Sequence, residues 1–220
     1  MNIASFIDHS FLKPTTTIAD IELLCSEAKE FGFRAVCIPP LFVKMAKEIL
    51  KGSSVKVSTV TGFPFGYSAI EAKLAETVLA LVDGADEIEM LANITAIKNA
   101  DWQYLAKEIN TIMPVVKSKG IVMKVILETG LLDETEIITC CDIYGAAGVD
   151  YVKTSTGFST IGATVKAISL LRTHLADTVK INASGSVNTF QFALKLLEAG
   201  ASTISPDESI QLVKEAKVVL

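Results

Sequence analysis

Histidine and cysteine are scarce in this chain, and neither is spaced to hold a metal. The 220 residues include four cysteines and two histidines. Cys25 and Cys37 stand apart, Cys140 and Cys141 are adjacent inside a helical pattern, and His9 and His174 lie far apart in sequence. No C-x-x-C or mixed Cys/His spacing occurs, so no metal site is expected. The thiols read as reduced packing residues of a cytoplasmic protein. Clustered positive charge is also lacking. Lys and Arg total 20 against 25 Asp and Glu, a formal net charge of -5, which argues against nucleic-acid binding. No apolar run approaches the roughly 18 residues of a membrane helix, so no membrane partner is expected. Met1 to Ser5 lacks the basic-then-apolar order of a signal peptide. No linker, composition shift or low-complexity segment divides the chain, so residues 1–220 read as one domain. Hydrophobic residues make up 50% and charged residues 20%, a globular composition with enough apolar content for one sizeable core.

What is present is a regular alternation of two periods. Short apolar runs, read as strands, cover residues 4–8, 34–38, 55–60, 86–91, 121–128, 150–153, 179–184 and 203–205. Amphipathic segments between and after them predict helices over 18–31, 41–50, 68–83, 101–119, 133–147, 160–175, 188–199 and 207–218. Pro114 is expected to bend the fourth of these. Continuous apolar strands covered by helices imply a parallel sheet. Eight such units predict a closed single-domain α/β fold, the (β/α)8 TIM barrel. The alternative is an open doubly wound sheet, but no G-x-G-x-x-G follows the first strand.

In a barrel, the C-terminal strand ends and the loops after them build the site. Asp8, Thr61, Glu89, Glu128, Lys153, Asn182 and Ser205 all fall at such ends. Two of them are chemically unusual. Lys153 closes an apolar strand and enters Thr154-Ser155-Thr156-Gly157-Phe158, a small hydroxyl-rich loop. A buried lysine near another cation or in an apolar pocket loses its proton more easily and can attack a carbonyl to form a Schiff base. The plainer alternative is a lysine that reaches solvent along its stem. Glu87 and Glu89 alternate with Ile88 and Met90, which places both carboxylates on one face of a buried strand.

The strings Ile7-Asp8-His9-Ser10-Phe11-Leu12-Lys13-Pro14, Ala35-Val36-Cys37-Ile38-Pro39-Pro40, Thr61-Gly62-Phe63-Pro64-Phe65-Gly66, Gly84-Ala85-Asp86-Glu87-Ile88, Lys124-Val125-Ile126-Leu127-Glu128-Thr129 and Val152 to Phe158 run nearly end to end. Together they resemble the deoxyribose-phosphate aldolase family. The resemblance implies a class I aldolase without metal or organic cofactor. Its partners would be a small-molecule aldehyde or sugar phosphate, and the chain would form a homodimer. It implies that Lys153 is the Schiff-base lysine, that the position of Glu89 carries an acid relaying protons through water, and that the position of Asn182 carries a second lysine. It also implies that the loops after the sixth to eighth strands hold a phosphate. The candidate substrate-binding set is Asp8, Ser10, Lys124, Thr156, Gly157, Gly185, Ser186 and Ser205.

Three features depart from the pattern of that family. Glu89 stands for an aspartate, one methylene longer. Asn182 stands for the second lysine and cannot supply a charge. Lys180, two residues earlier on the same face, is expected either to rise toward the vacated place or to pair with Glu87, Glu89 or Glu128. The third departure is Ser205-Pro206-Asp207-Glu208, which reads as a capping box for the last helix and sets two carboxylates where a phosphate would bind. Weak phosphate affinity is therefore expected. Two alternatives follow: an aldolase acting on a non-phosphorylated aldehyde, and a metabolite-binding barrel with little turnover.

Overall fold

The computed structural model describes residues 2–219. Eight parallel strands form one sheet in sequential order: β1 (Asp8–Ser10), β2 (Ala35–Ile38), β3 (Lys56–Thr61), β4 (Glu87–Leu91), β5 (Val122–Ile126), β6 (Tyr151–Lys153), β7 (Lys180–Ser184) and β8 (Thr203–Ser205). A parallel bridge between Ile7 and Ile204 brings the two ends of the sheet together, making the (β/α)8 barrel. The helices are α1 (Ile18–Phe31), α2 (Val43–Ile49), α3 (Ile70–Val82), α4 (Ile94–Lys98), α5 (Trp102–Lys117), α6 (Glu134–Ala147), α7 (Val165–His174), α8 (Phe190–Glu198) and α9 (Ser209–Val219).

The local code explains most boundaries. Thr17 and Asp133 cap α1 and α6 reciprocally with Asp20 and Glu136, and left-handed Gly32 and Gly148 end the same helices. Pro114 sits inside α5, in a helix that runs on to Lys117.

Three expectations need correction. The first strand lies at Asp8–Ser10 rather than 4–8, because Ile3–Phe6 forms a 3-10 turn under the barrel. Asp8 therefore begins its strand and sits below the mouth. The sixth expected helix, with its start at 160, is delayed to Val165, where Thr164 caps it. The last helix starts at Ser209, with Leu212 N–H donating to the Glu208 carbonyl. Ser205 belongs to β8 and bonds Asn182 instead, so the Ser205–Glu208 capping box does not form. The short helix α4 was not expected.

Between the barrel wall and the outer helices lies a buried ion pair. Lys73 Nζ on α3 lies 2.7 Å from Glu108 Oε1 on α5 and donates to the Leu91 carbonyl, also at 2.7 Å. Lys73 runs directly beneath Gly62: a Cβ there would lie 2.5 Å from Lys73 Cε. The glycine of the β3 loop thus lets a helix side chain brace the top of β4.

Candidate active site

The inward faces of the strands carry a stack of charge under the barrel mouth. Glu87 and Glu89 both point inward, as strand alternation requires. Lys153 Nζ lies 2.6 Å from Glu89 Oε2, and both residues are buried. The other oxygen, Glu89 Oε1, accepts from Ser58 Oγ at 2.9 Å and from Lys124 Nζ at 3.1 Å. Lys124 Nζ is also 2.7 Å from Asp8 Oδ2 and 2.7 Å from Glu87 Oε2. Below them Arg34 grips Glu87 with two N–H groups at 2.6 and 2.8 Å, and its Nε lies 2.5 Å from Asp8 Oδ1.

Asp8, Glu87 and Glu89 bring carboxylate oxygens within 4.8 Å of one another, a spacing a cation could use. Their oxygens are bonded to Lys124, Arg34 and Lys153.

Asn182 joins the same network as a neutral dipole. Its Nδ2 donates to Asp8 Oδ2 at 3.0 Å and to Thr203 Oγ1 at 2.7 Å, and its Oδ1 accepts from Ser205 Oγ at 3.1 Å. Lys180 goes elsewhere. It is exposed at the bottom of β7, with Nζ 5.5 Å from the Tyr151 ring centroid. Among the described residues it makes no ion pair with Glu87, Glu89 or Glu128, so neither expectation for Lys180 holds. The first residue of a strand faces the barrel floor, and a lysine there reaches water more cheaply than it crosses a packed layer.

The second cation near Lys153 is Lys124. Burial lowers the Lys153 pKa and Lys124 lowers it further, but the Glu89 carboxylate outweighs both and holds it above the ordinary lysine value. Lysine in this site is an ammonium at neutral pH, against the depression expected from sequence. Burial raises the Glu89 pKa, but the charges of Lys153 and Lys124 more than offset it and hold it far below the usual carboxylate range. Lys124 is pulled down by burial and held up more strongly by Asp8, Glu89 and Glu87.

Above this stack opens a cavity of about 370 Å³, lined in part by Ser10, Lys13, Lys153, Thr156, Gly185 and Ser205. Of the sequence candidates, Gly157 also lines it, while Asp8 and Lys124 lie below it. Asp8 is thus a buried partner of Arg34, Lys124 and Asn182 rather than a wall of the cavity. The loop after β6 is held against β7: Thr154 Oγ1 donates to the Ser184 carbonyl at 2.9 Å and accepts from Ser184 N–H at 2.9 Å. Gly185, at φ 82°, lies so close to the loop of Gly162 that a Cβ would meet Gly162 Cα at 3.0 Å. Ser186 follows with φ 58° and is exposed. Asp207 and Glu208 form the acidic side of the same cavity. Burial and the Glu208 charge push the Asp207 carboxyl up, against a backbone hydrogen bond from Ser186. Glu128, in a left-handed conformation at φ 57°, accepts from the Thr156 N–H at 3.0 Å and from the Thr156 hydroxyl, bracing the Lys153 loop.

Sequence reasoning missed Arg34 and Ser58. By alternation Arg34 reads as the outward boundary residue of β2, and only its length carries it under the barrel.

Residues 3–205 match the family model described as DeoC/LacD family aldolase. A curated protein of Caldanaerobacter subterraneus subsp. tengcongensis, named deoxyribose-phosphate aldolase, is 46% identical over 99% of this chain and 94% of that protein. One of the same name from Thermococcus gammatolerans is 44% identical over 99% of this chain and 97% of that protein. The solved structure of deoxyribose phosphate aldolase from Aeropyrum pernix, described as a unique tetramer, superposes with a TM-score of 0.92 at 30% identity, covering 99% of this chain and 92% of that one.

Proposed function

The chain belongs to the DeoC/LacD family of aldolases, and from that premise we propose that it reversibly cleaves 2-deoxyribose 5-phosphate into acetaldehyde and glyceraldehyde 3-phosphate through an imine on Lys153. One observation carries the reading. A buried amine at the base of a cavity has a carboxylate 2.6 Å away to exchange protons with.

The Lys153 ammonium passes a proton to Glu89, and the freed amine attacks the C1 aldehyde. Glu89 returns that proton to the carbinolamine hydroxyl, which leaves as water, and the iminium forms with Glu89 again a carboxylate. Glu89 then takes the proton of the C3 hydroxyl as the C2–C3 bond breaks, and the bond's electrons flow into the iminium to give an enamine. Glyceraldehyde 3-phosphate departs. Glu89 gives that proton to C2 of the enamine, and hydrolysis of the resulting iminium returns acetaldehyde and the Lys153 ammonium. Lys124 and Ser58 hold Glu89 in place through its second oxygen. Asn182 orients Asp8 and Ser205 without titrating. Ser10, Thr156 and Ser205 supply hydroxyls to the sugar, and Gly157, Gly185 and Ser186 supply N–H groups to the phosphate. A second copy of the chain is the expected partner in solution, against which light scattering would reveal a monomer.

The test is release of acetaldehyde from 2-deoxyribose 5-phosphate by the full chain, with Lys153→Met as control. Turnover abolished by that substitution is expected; equal turnover in both would end the reading.

Asp207 and Glu208 favour a second reading, in which the acceptor carries no phosphate. Activity with glyceraldehyde at or above that with its phosphate would support it.

A further inference from the structure

We propose that Arg34 is a positioning residue of this aldolase, the cation that completes the buried charge cluster beneath Lys153 and keeps Lys124 shared with Glu89. The inference rests on the imine role of Lys153 given above.

The cluster holds three carboxylates, Asp8, Glu87 and Glu89, and three cations, Arg34, Lys124 and Lys153. It is closed, and buried charge of this kind is tolerated only when it is paired and hydrogen-bonded. Arg34 addresses two carboxylates at once, Glu87 through both terminal nitrogens and Asp8 through Nε. A planar guanidinium does this from two edges; the positive charge it brings to the two carboxylates is what an ammonium at the same position would also supply. The remaining oxygen of Asp8 faces Lys124 at 2.7 Å and Asn182 at 3.0 Å. Position 182 and Arg34 therefore act on opposite oxygens of one carboxylate. A neutral asparagine at the first is matched by a cation at the second.

Without Arg34, Asp8 and Glu87 would have Lys124 as their one cation, with Asn182 giving Asp8 a neutral hydrogen bond besides. The Lys124 ammonium already lies farther from Glu89, at 3.1 Å, than from Asp8 or Glu87, at 2.7 Å each. Drawn deeper, it would leave Glu89 to Lys153, which would then hold its proton more tightly. The other groups around Lys153 are Cys37 on β2, whose thiol burial keeps neutral, and Lys13, Asp207 and Glu208 across the cavity. None of these touches Arg34 in the hydrogen bonds and ion pairs of the described residues. A purely structural Arg34 would instead be a plug in the barrel floor beside Tyr151, whose ring lies 5.7 Å away.

The experiment compares the full-length protein with Arg34→Met, Arg34→Lys, Asn182→Lys and the double variant Arg34→Met/Asn182→Lys. It reads the pH dependence of kcat/KM for 2-deoxyribose 5-phosphate cleavage, and the rate of borohydride trapping with acetaldehyde. Loss of this partly exposed cation should raise the alkaline midpoint of Arg34→Met by about one pH unit, with kcat/KM at neutral pH about tenfold lower. Asn182→Lys alone should lower the midpoint by about the same amount. The double variant should return to the wild-type midpoint, and Arg34→Lys should stay near it. If Arg34→Met does not fold, the shift of Asn182→Lys and the midpoint of the double variant decide the matter. An unshifted midpoint in Asn182→Lys, or a loss in Arg34→Met that is uniform across pH and unrepaired by Asn182→Lys, would overturn the inference. An Arg34→Lys profile matching Arg34→Met would do the same. Failure of wild-type trapping at Lys153 would count against the imine chemistry itself, a distinct result.

Discussion

Replacing Glu89 by Gln should separate the two halves of the proposed chemistry. The carboxylate contacts Lys153 at 2.6 Å through one oxygen and Lys124 at 3.1 Å through the other. Taking the charge centres as about 4 Å apart and an effective dielectric near 20, the Glu89 charge holds the Lys153 proton by roughly 4 kcal/mol. Removing it should lower the hold on the Lys153 proton, since Lys124 and burial then act without the carboxylate that outweighed them. A larger share of the amine is then neutral at pH 7, so imine formation with acetaldehyde, read as borohydride-dependent mass gain on Lys153, should be faster than in the wild type. Cleavage of 2-deoxyribose 5-phosphate should move the other way, with kcat down by about 10²–10⁴, the usual worth of a positioned acid–base group. The amide keeps the hydrogen-bonding shape, so the split is chemical rather than a collapse of the site. Parallel slowing of trapping and turnover, with an unchanged pH profile, would refute the assignment and reduce Glu89 to a packing partner.

Three other outcomes are expected. Because Lys153 is held above its ordinary pKa, the ammonium dominates at pH 7; kcat/KM of the wild type should therefore climb as pH rises through the alkaline range. A profile flat from neutral pH upward would contradict this. Asp207→Asn should lower KM for the phosphorylated substrate about fivefold, by removing roughly 1 kcal/mol of repulsion from the cavity wall, as measured by steady-state kinetics against unphosphorylated glyceraldehyde; an unchanged KM ratio would clear Asp207 of any part in selectivity. Lys73→Met alone should lower the melting temperature steeply, at a cost of about 3–5 kcal/mol, because it strands the buried Glu108 carboxyl, whose Oε2 already lacks a partner. The double variant with Glu108→Leu should recover most of that loss in a thermal melt.

The barrel was legible because its signal is repeated eight times. A strand can be misplaced, as the first was, without disturbing the other seven. Glu87 and Glu89 were legible for a different reason: a period of two fixes the face of every residue in a strand as regular as β4. Lys153 was legible as chemistry because an apolar strand ending in lysine before a hydroxyl-rich loop is costly to keep. Three features were not legible. The reach of a long side chain is not encoded in its register, so Lys180, on the inward face by alternation, escapes to the floor, while Arg34, on the outward face, curls beneath the barrel. The Ser205–Glu208 string satisfies the capping pattern, but the β8 strand and Asn182 compete for the same hydroxyl and win. The protonation state of Lys153 depends on one 2.6 Å contact between strands 64 residues apart in sequence, which no local string reports.

The central claim is that Lys153 forms the imine. Its most direct test is incubation of the full chain with acetaldehyde and borohydride, followed by intact mass and peptide mapping, with the surface lysines as internal controls. The account predicts a single ethyl group, confined to Lys153 and absent without acetaldehyde. An unmodified Lys153 at mildly alkaline pH, or ethylation spread evenly over exposed lysines, would contradict it.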